Sequence, residues 1–529
     1  MEPAVAMLRE RLPEESLGRL LGQVMADKGI SKETMRYIAS LPPSFLEAWI
    51  GHHIMMHPHK EGAQSIQQSL TRAASVPPHY QGTSQENRQI DASVWKSEVK
   101  HKDMPMRHLT WRGAAGAYLG AAIKVPDSMS AVRVLIIGAG PAGIMVARAL
   151  INAGLHNVVL LDKTGKTGGV WRRQMLQHIT QAVPFPLHFE NASLEAGPRP
   201  GQEVTSFLDT LVSPPDAWNW PTFPQLLLGE VVCVEPGDLT HRVVYLDAQG
   251  QEHERTAEIV INAIGVGEPL MPNFSKAMTT DTPPERTGHR WQEVWSEQEA
   301  ERYRGKHLIF VSLSNATLSM LWQIHHWNHQ KGMGIKYKVL THYPESSIHA
   351  PHMPIEHAGR KYQLYRDLER FQLLRVAGDM PPFQRAFLEA REDHHIISHV
   401  QHWTRLPGDE QLVAVGHEAT HYLRCEALYT LIGYAPRAET LEKMGLVVSD
   451  RYMGVAHLDY DGEVQREPGA LGRRRIWPGY FCLGIRNGYN DNEVLLPGIL
   501  YRLPHVVGGV LLRAAEHRVT NTLSREHRH

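Results

Sequence analysis

The sequence predicts an α/β fold in which parallel sheets are built from βαβ units, with a helical extension ahead of them. Three observations predict it. Residues 133–163, RVLIIGAGPAGIMVARALINAGLHNVVLLDK, read as strand, glycine turn, helix and strand, and parallel pairing of the two strands requires the crossover helix. Strand-like runs then recur at 256–264, 307–313, 336–341, 411–415, 423–432 and 479–483, with helical patterns between several of them. The stretch KHLIFVSLSNATLSM (306–320) again places an apolar strand, a short polar turn and a helix start in succession.

At 529 residues the chain exceeds one compact core and predicts roughly two to four domains. A hydrophobic fraction of 42% with 21% charged residues suits a soluble globular protein, and a net charge of −1 predicts neither nucleic-acid binding nor adhesion to an anionic membrane. The run Arg473–Arg475 reads as a solvated turn. Cys233, Cys425 and Cys482 are far apart among apolar neighbours, which predicts buried core thiols in a reducing compartment. The opening MEPAVAMLRERLPEES has no apolar segment of a secretory signal, and no apolar run reaches the ~18 residues of a spanning helix. A cytoplasmic location is the expectation.

Residues 1–125 read as helical. Leu17, Leu20, Leu21, Val24 and Met25 repeat at helical spacing after Pro13 and Ser16. Ser44 and Glu47 form a capping box ahead of Trp49, Ile50 and Ile54, and 75–88 is a turn-rich connector.

Gly138, Gly140 and Gly143 supply GxGxxG directly after Val134–Ile137, and Asp162 ends the following strand. Gly138 permits the tight turn, Gly140 lets the backbone approach a pyrophosphate, and Gly143 lets helix and strand pack closely. Pro141 and Ala142 open the helix, whose N-terminus favours phosphate, and Asp162 beside Lys163 would accept ribose hydroxyls.

After Asp162 the chain reads KTGKTGGVWRR. Gly168, Gly169, Val170 and Trp171 resemble the GG-[TV]-W element of the class B flavoprotein monooxygenases, which include flavin-containing, Baeyer–Villiger and N-hydroxylating enzymes. PRPGQEVTSFLDTL (198–211) resembles that family's P-x-x-x-E-[VL]-x-x-[YF]-L segment. EIVINAIGVGEPLMP (258–272) resembles its strand ending in ATG, with Ala263 and Gly265 matching and Ile264 in the threonine place. EALYTLIGYAPRAETLEKMG (426–445) resembles its ATGYxP strand, with Ile432 for threonine. The resemblance covers about 130–510. It implies FAD held by Gly138, Gly140, Pro141, Ala142, Gly143, Asp162, Lys163, Gly169, Val170, Trp171, Ala263 and Gly265. It also implies two Rossmann-like dinucleotide-binding domains: an FAD domain (130–272 and 426–515) and an inserted NADPH-like domain (273–425), followed by a tail (516–529).

The family's second unit begins GK-x-V-x-V-x-G-x-G-N-S-[GA]. Gly305, Lys306 and Asn315 match without a gap, but Ser312, Ser314 and Thr317 replace the three glycines. A non-glycine at 312 costs about 1–2 kcal/mol if the turn is left-handed. Ser314 occupies space that a pyrophosphate would need, and the β-branched Thr317 pushes helix from strand. The next strand ends in KYKVLTHYPESS without arginine. The family linker F-x-G-x-x-x-H is also altered, with Pro283 and Glu285 ahead of His289. NADPH use is therefore doubtful.

The C-terminal segment GYFCLGIRNGYNDNEVLLPGILYR (479–502) lacks the GD of many flavoprotein reductases, because Ile485 follows Gly484. Its later part resembles the H-G-x-[SN]-D-x-L-L-S segment of N-hydroxylating monooxygenases, which implies Asn490, Asp491 and Leu495 near the flavin ring. His417-Glu418-Ala419-Thr420-His421 satisfies H-E-x-x-H, but strands around it and Gly416 predict a turn. No metal site is expected there, nor at His349, His352 and His357 on a proline-broken loop.

Three readings of function follow. The resemblance implies an FAD-dependent monooxygenase that oxygenates a small-molecule substrate with O2 through a flavin C4a-(hydro)peroxide, with weak NADPH use or a separate flavin reductase. A flavin oxidase or dehydrogenase taking hydride from its own substrate would need no nicotinamide. A non-catalytic flavoprotein module is the third. No triad or carboxylate dyad marks catalytic residues, and neither nucleic acid nor membrane is an expected partner.

Overall fold

The computed structural model describes residues 30–39, 127–172, 180–183, 187–189, 192–194, 197–212, 224–265, 267–269, 278–283, 300–312, 315–342, 355–357, 360–364, 374–376, 390, 393–408, 410–431, 434–435, 438–449, 454–455, 458, 462–465, 476–485 and 496–526. The expectations at Ser16–Met25, Ser44–Ile54, 75–88, Ser314, Glu285, His289, His349, His352, Ile432, Arg473–Arg475, Asn490, Asp491 and Leu495 lie outside the described residues.

The elements that position the site run in order from α1 (Lys32–Ala39) to β1 (Val134–Ile137), α2 (Pro141–Asn152), β2 (Val158–Asp162) and α3 (Gly201–Val212). Then come β3 (Gln225–Leu228), β4 (Glu230–Glu235), β5 (His241–Leu246), β6 (Glu252–Ala257) and β7 (Ile259–Asn262). A second group comprises β8 (His307–Val311), α4 (Asn315–Lys331), β9 (Lys336–Leu340), β10 (Val400–Arg405), β11 (Gln411–Gly416), β12 (Thr420–Arg424) and β13 (Ala427–Thr430). The last are β14 (Glu463–Gln465), β15 (Ile476–Cys482) and α5 (Leu496–Glu526).

The α/β class holds, with parallel and mixed sheets. β1 and β7 are buried along their whole length, and apart from Asn262 at the end of β7 both strands read as hydrophobic runs with apolar residues on both faces. They form the centre of a six-stranded sheet ordered β14-β15-β7-β1-β2-β3, parallel except for β14. One face packs on α2, α3 and α5 through Ile144, Leu150, Phe207, Leu211, Leu503 and Val510. The other packs against the antiparallel meander β4–β6 through Val234, Val243 and Tyr480.

A four-stranded parallel sheet carries the second unit, with β8 between β9 and β13 and Ile396–Ile397 outside β9. β10, β11 and β12 are antiparallel neighbours. The run 423–432, expected as one strand, is two strands in different sheets. Arg405 Nη2 donates to the carbonyls of Cys425 (3.1 Å) and Glu426 (3.3 Å), and the chain changes sheet at those residues. Cys425 and Cys482 are buried as expected, whereas Cys233 on β4 is only half-buried. α5 runs through position 516, where a tail was expected to begin. Among the described residues no helix is long and apolar enough to cross a membrane.

Candidate functional site

The carboxyl ends of β1, β2 and β7 meet at the first glycine turn. Gly138 has φ +103°, and its N–H donates to the Leu161 carbonyl at 2.8 Å. A Cβ at Gly138 would stand 2.5 Å from the Ala263 oxygen, and one at Gly143 would stand 1.9 Å from the Gly138 oxygen. Both glycines are therefore required by the chain's own packing. Gly140 differs. It is the N-cap of α2, extended at φ −75° and ψ −177°, and among the described residues a Cβ there would meet nothing closer than the Gly169 Cα at 4.0 Å. No described residue demands glycine at 140, whereas close approach of a pyrophosphate to the backbone would. Pro141 presets the first helical φ, and no acidic residue lies in the first turn of α2 to oppose an anion.

Asp162 ties the turn to the loop that follows β2. Its Oδ2 accepts the Ala139 N–H at 2.9 Å, and its Oδ1 accepts the Thr164 N–H (2.8 Å) and hydroxyl (2.6 Å). A carboxylate has about four acceptor positions, so capacity for a ribose hydroxyl remains. Lys163 is exposed beside it. The loop returns to the turn: the Gly168 N–H donates to the Ala139 carbonyl at 2.8 Å. Gly169, at φ +54°, would bring a Cβ within 3.0 Å of the Gly140 Cα. Residues 169–172 then form a single 3₁₀ turn that carries Val170 and Trp171.

Residues 131–180 match the FAD binding domain family. The matched segment is the βαβ unit and loop just described, so the resemblance to flavin-dependent oxidoreductases holds for that unit. None of the curated proteins matches the chain. Among solved structures, bacillithiol disulfide reductase from Bacillus cereus is 14% identical at TM-score 0.47, covering 73% of this chain and 99% of its own. Ornithine hydroxylase from Pseudomonas aeruginosa is 14% identical at TM-score 0.44, with 73% and 99% covered. S-allyl-L-cysteine S-oxygenase from Allium sativum is 12% identical at TM-score 0.39, with 75% and 81% covered. Likeness at this level says nothing about substrate or reaction.

Other elements close around the FAD-type turn. The Ala263 N–H donates to the Ile137 carbonyl at 2.8 Å, and Gly265 follows at φ +83° with no described atom within 4 Å of its Cβ position. Gly484, two residues past the end of β15, lies against the first turn of α2, where a Cβ would be 2.6 Å from that of Ala142. Sequence reading missed Asn262, buried at the end of β7. Its Nδ2 donates to the Tyr480 hydroxyl at 3.3 Å, and its Oδ1 accepts the Ile264 N–H at 3.4 Å. It missed Thr164 as well, whose only sequence signal is its place two residues after the acid.

The second turn keeps the same frame with different chemistry. The Ser312 N–H donates to the Leu340 carbonyl at 2.8 Å, as Gly138 does to Leu161, and Ser312 has φ 82°. Thr317 is fully buried, and its hydroxyl donates to the Ser312 carbonyl at 2.7 Å. In the first unit the corresponding carbonyl lies 1.9 Å from where a Cβ on Gly143 would be. The helix start therefore stands further from the strand here, and the hydroxyl bridges the gap. This refines the expectation that Thr317 only separates helix from strand.

The H-E-x-x-H segment lies at a hairpin. His417 and Glu418 follow β11, and His421 is on β12, so the two histidines do not share a helical face. The His399 ring stands 6.3 Å from that of His417 and nearly perpendicular to it. Among the described residues no group of three His, Cys, Asp or Glu side chains could hold a metal ion.

Proposed function

We propose that the chain is an FAD-dependent monooxygenase that oxygenates a small molecule at nitrogen, sulfur or carbon. The observation that carries the FAD reading is the contrast within the first turn: Gly138 and Gly143 are needed by the fold, while Gly140 is open to a ligand. The first-turn amides of α2 would hold the pyrophosphate and Asp162 the ribose, with Gly168 and Gly169 as the wall beside them. When bound, FAD supplies hydride acceptance and reaction with O2, and the protein's part is to hold substrate and exclude water. The monooxygenase reading rests on the resemblance carried by Gly168–Trp171, 198–211, 258–272 and 426–445. It assigns 130–272 and 426–515 to an FAD domain and 273–425 to an NADPH-like insertion, in a cytoplasmic enzyme.

A second reading, an oxidase or dehydrogenase that takes hydride from its own substrate, is favoured by Ser312 and Thr317. The left-handed serine and the threonine hydroxyl occupy the positions at which the family has glycine. Purified wild-type chain should be yellow or take up FAD, and Gly140→Asp should not, because a carboxylate would meet the pyrophosphate. Mixing anaerobically with NADPH should reduce the flavin slowly or only at high concentration. Reduction within milliseconds by micromolar NADPH would restore the ordinary monooxygenase cycle and remove the second reading.

A further inference from the structure

The loop that carries Gly168 and Gly169 is gripped from the side opposite the glycine turn. Arg172, at the end of the 3₁₀ turn, donates from Nε to the Thr167 carbonyl at 3.0 Å and from Nη2 to the Thr167 hydroxyl at 3.0 Å. That hydroxyl donates to Asp209 Oδ1 at 2.5 Å, and Arg172 forms an ion pair with the same oxygen. Asp209 is on α3, whose Val204, Phe207, Leu208 and Leu211 are buried in the core shared with α2. A neighbouring α3 residue, Thr205, also lies along the loop, its methyl 3.6 Å from the Cβ position of Gly168. α2 and α3 thus share one core, and the loop is held between the turn on one and the carboxylate on the other.

We propose that Asp209 is a positioning residue for the cofactor. Through Arg172 and Thr167 it clamps loop 163–172 onto the glycine turn and so sets the affinity for FAD. This rests on the FAD reading of the first turn. The clamp lies outside the turn, so it acts on the wall and not on the phosphates. Side-chain exposures of 35% for Arg172 and 42% for Asp209 make it a modest, salt-sensitive device.

FAD titrated into the full apo chain, followed by flavin fluorescence, tests it. Asp209→Ala and Arg172→Ala should each weaken binding about five-fold at low salt, the size expected for a partly exposed charged pair. The double variant should be no weaker than the worse single, because both remove one clamp. Asp209→Glu should recover part of the loss, and salt at about 0.5 M should bring wild type towards the variants. In apo protein, the Gly168 amide should exchange faster in Asp209→Ala while the Leu150 amide in α2 is unchanged. Singles within about two-fold of wild type, or losses that add in the double, would overturn the clamp. If wild type takes no FAD, that reading of the turn falls and the clamp is judged on exchange: acceleration at Gly168 supports it, no change overturns it.

Discussion

At the scale of single residues, the two turns show what glycine does by showing one place with it and one without. Ser312 stands at φ 82°, where Gly138 stands at φ +103°, and a side chain in that region costs about 1–2 kcal/mol. The Thr317 hydroxyl bond offsets part of that, since a net hydrogen bond contributes about 0.5–1.5 kcal/mol. Ser312→Gly should therefore stabilise the chain by about 1 kcal/mol, read as a rise in urea midpoint at constant slope. Thr317→Val removes the hydroxyl and should destabilise it by a similar amount. Unchanged midpoints in both variants would mean that the turn is not strained.

At the scale of elements, a buried ion pair ties α5 to the edge of the first sheet. Glu463 on β14 accepts Arg513 Nε at 2.7 Å, Arg513 Nη2 at 3.1 Å and the Gly479 N–H at 2.9 Å. The two side chains are 1% and 3% exposed, and burial opposes the charge on Arg513 while Glu463 and Glu516 hold its pKa up. Glu463→Ala should cost about 3–5 kcal/mol, measured by urea unfolding. Exchanging both partners for methionine should cost less, because no buried charge is left behind. None of this was legible from the sequence, where Glu463 and Arg513 are separate polar positions in different elements. What was legible is what burial writes locally: β1 and β8 are short apolar runs bounded by turns, β9 alternates lysine with apolar residues, and the glycine spacing marks the first turn outright. The meander β4–β6 went unread because β6, EHERTA, is exposed along most of its length and shows no apolar alternation. Asp209 was unreadable for another reason, since its partners lie 37 and 42 residues away in sequence.

At the scale of the whole molecule, the face of the first sheet is closed over a histidine that resists protonation. His241 is fully buried, accepts the Gly237 N–H at Nδ1 (3.3 Å) and meets the Pro478 carbonyl at Nε2 (3.0 Å), which fits the neutral ring with its proton on Nε2. Burial lowers its pKa to about 4 against the pull of the Pro478 carbonyl, with the nearby His517 lowering it further and Glu463 raising it. The folded pKa lies below the unfolded value of about 6.5, so this contribution is complete above that value. It is lost as pH falls from about 6.5 towards 4, on the order of a few kcal/mol. Denaturant midpoints measured across that window should fall in wild type and fall less in His241→Phe. Parallel slopes for the two proteins would remove His241 as the cause.

The order of strands has a consequence for how the protein is made. β1 and β7 can pair once residue 262 has emerged from the ribosome, yet β7's other edge is filled by β15, through pairs such as Asn262↔Cys482. The whole second parallel sheet lies between those two partners in the chain. During translation, the open edge of β7 and the apolar flank of α2 that α5 covers wait through that interval. Pairing across such a separation is slow, because a long loop must close before any contact rewards it. A nascent chain therefore carries the glycine turn early and its seal late. A ribosome stalled between the two would release a species with an unpaired strand edge and a bare helix face, the material from which aggregates start.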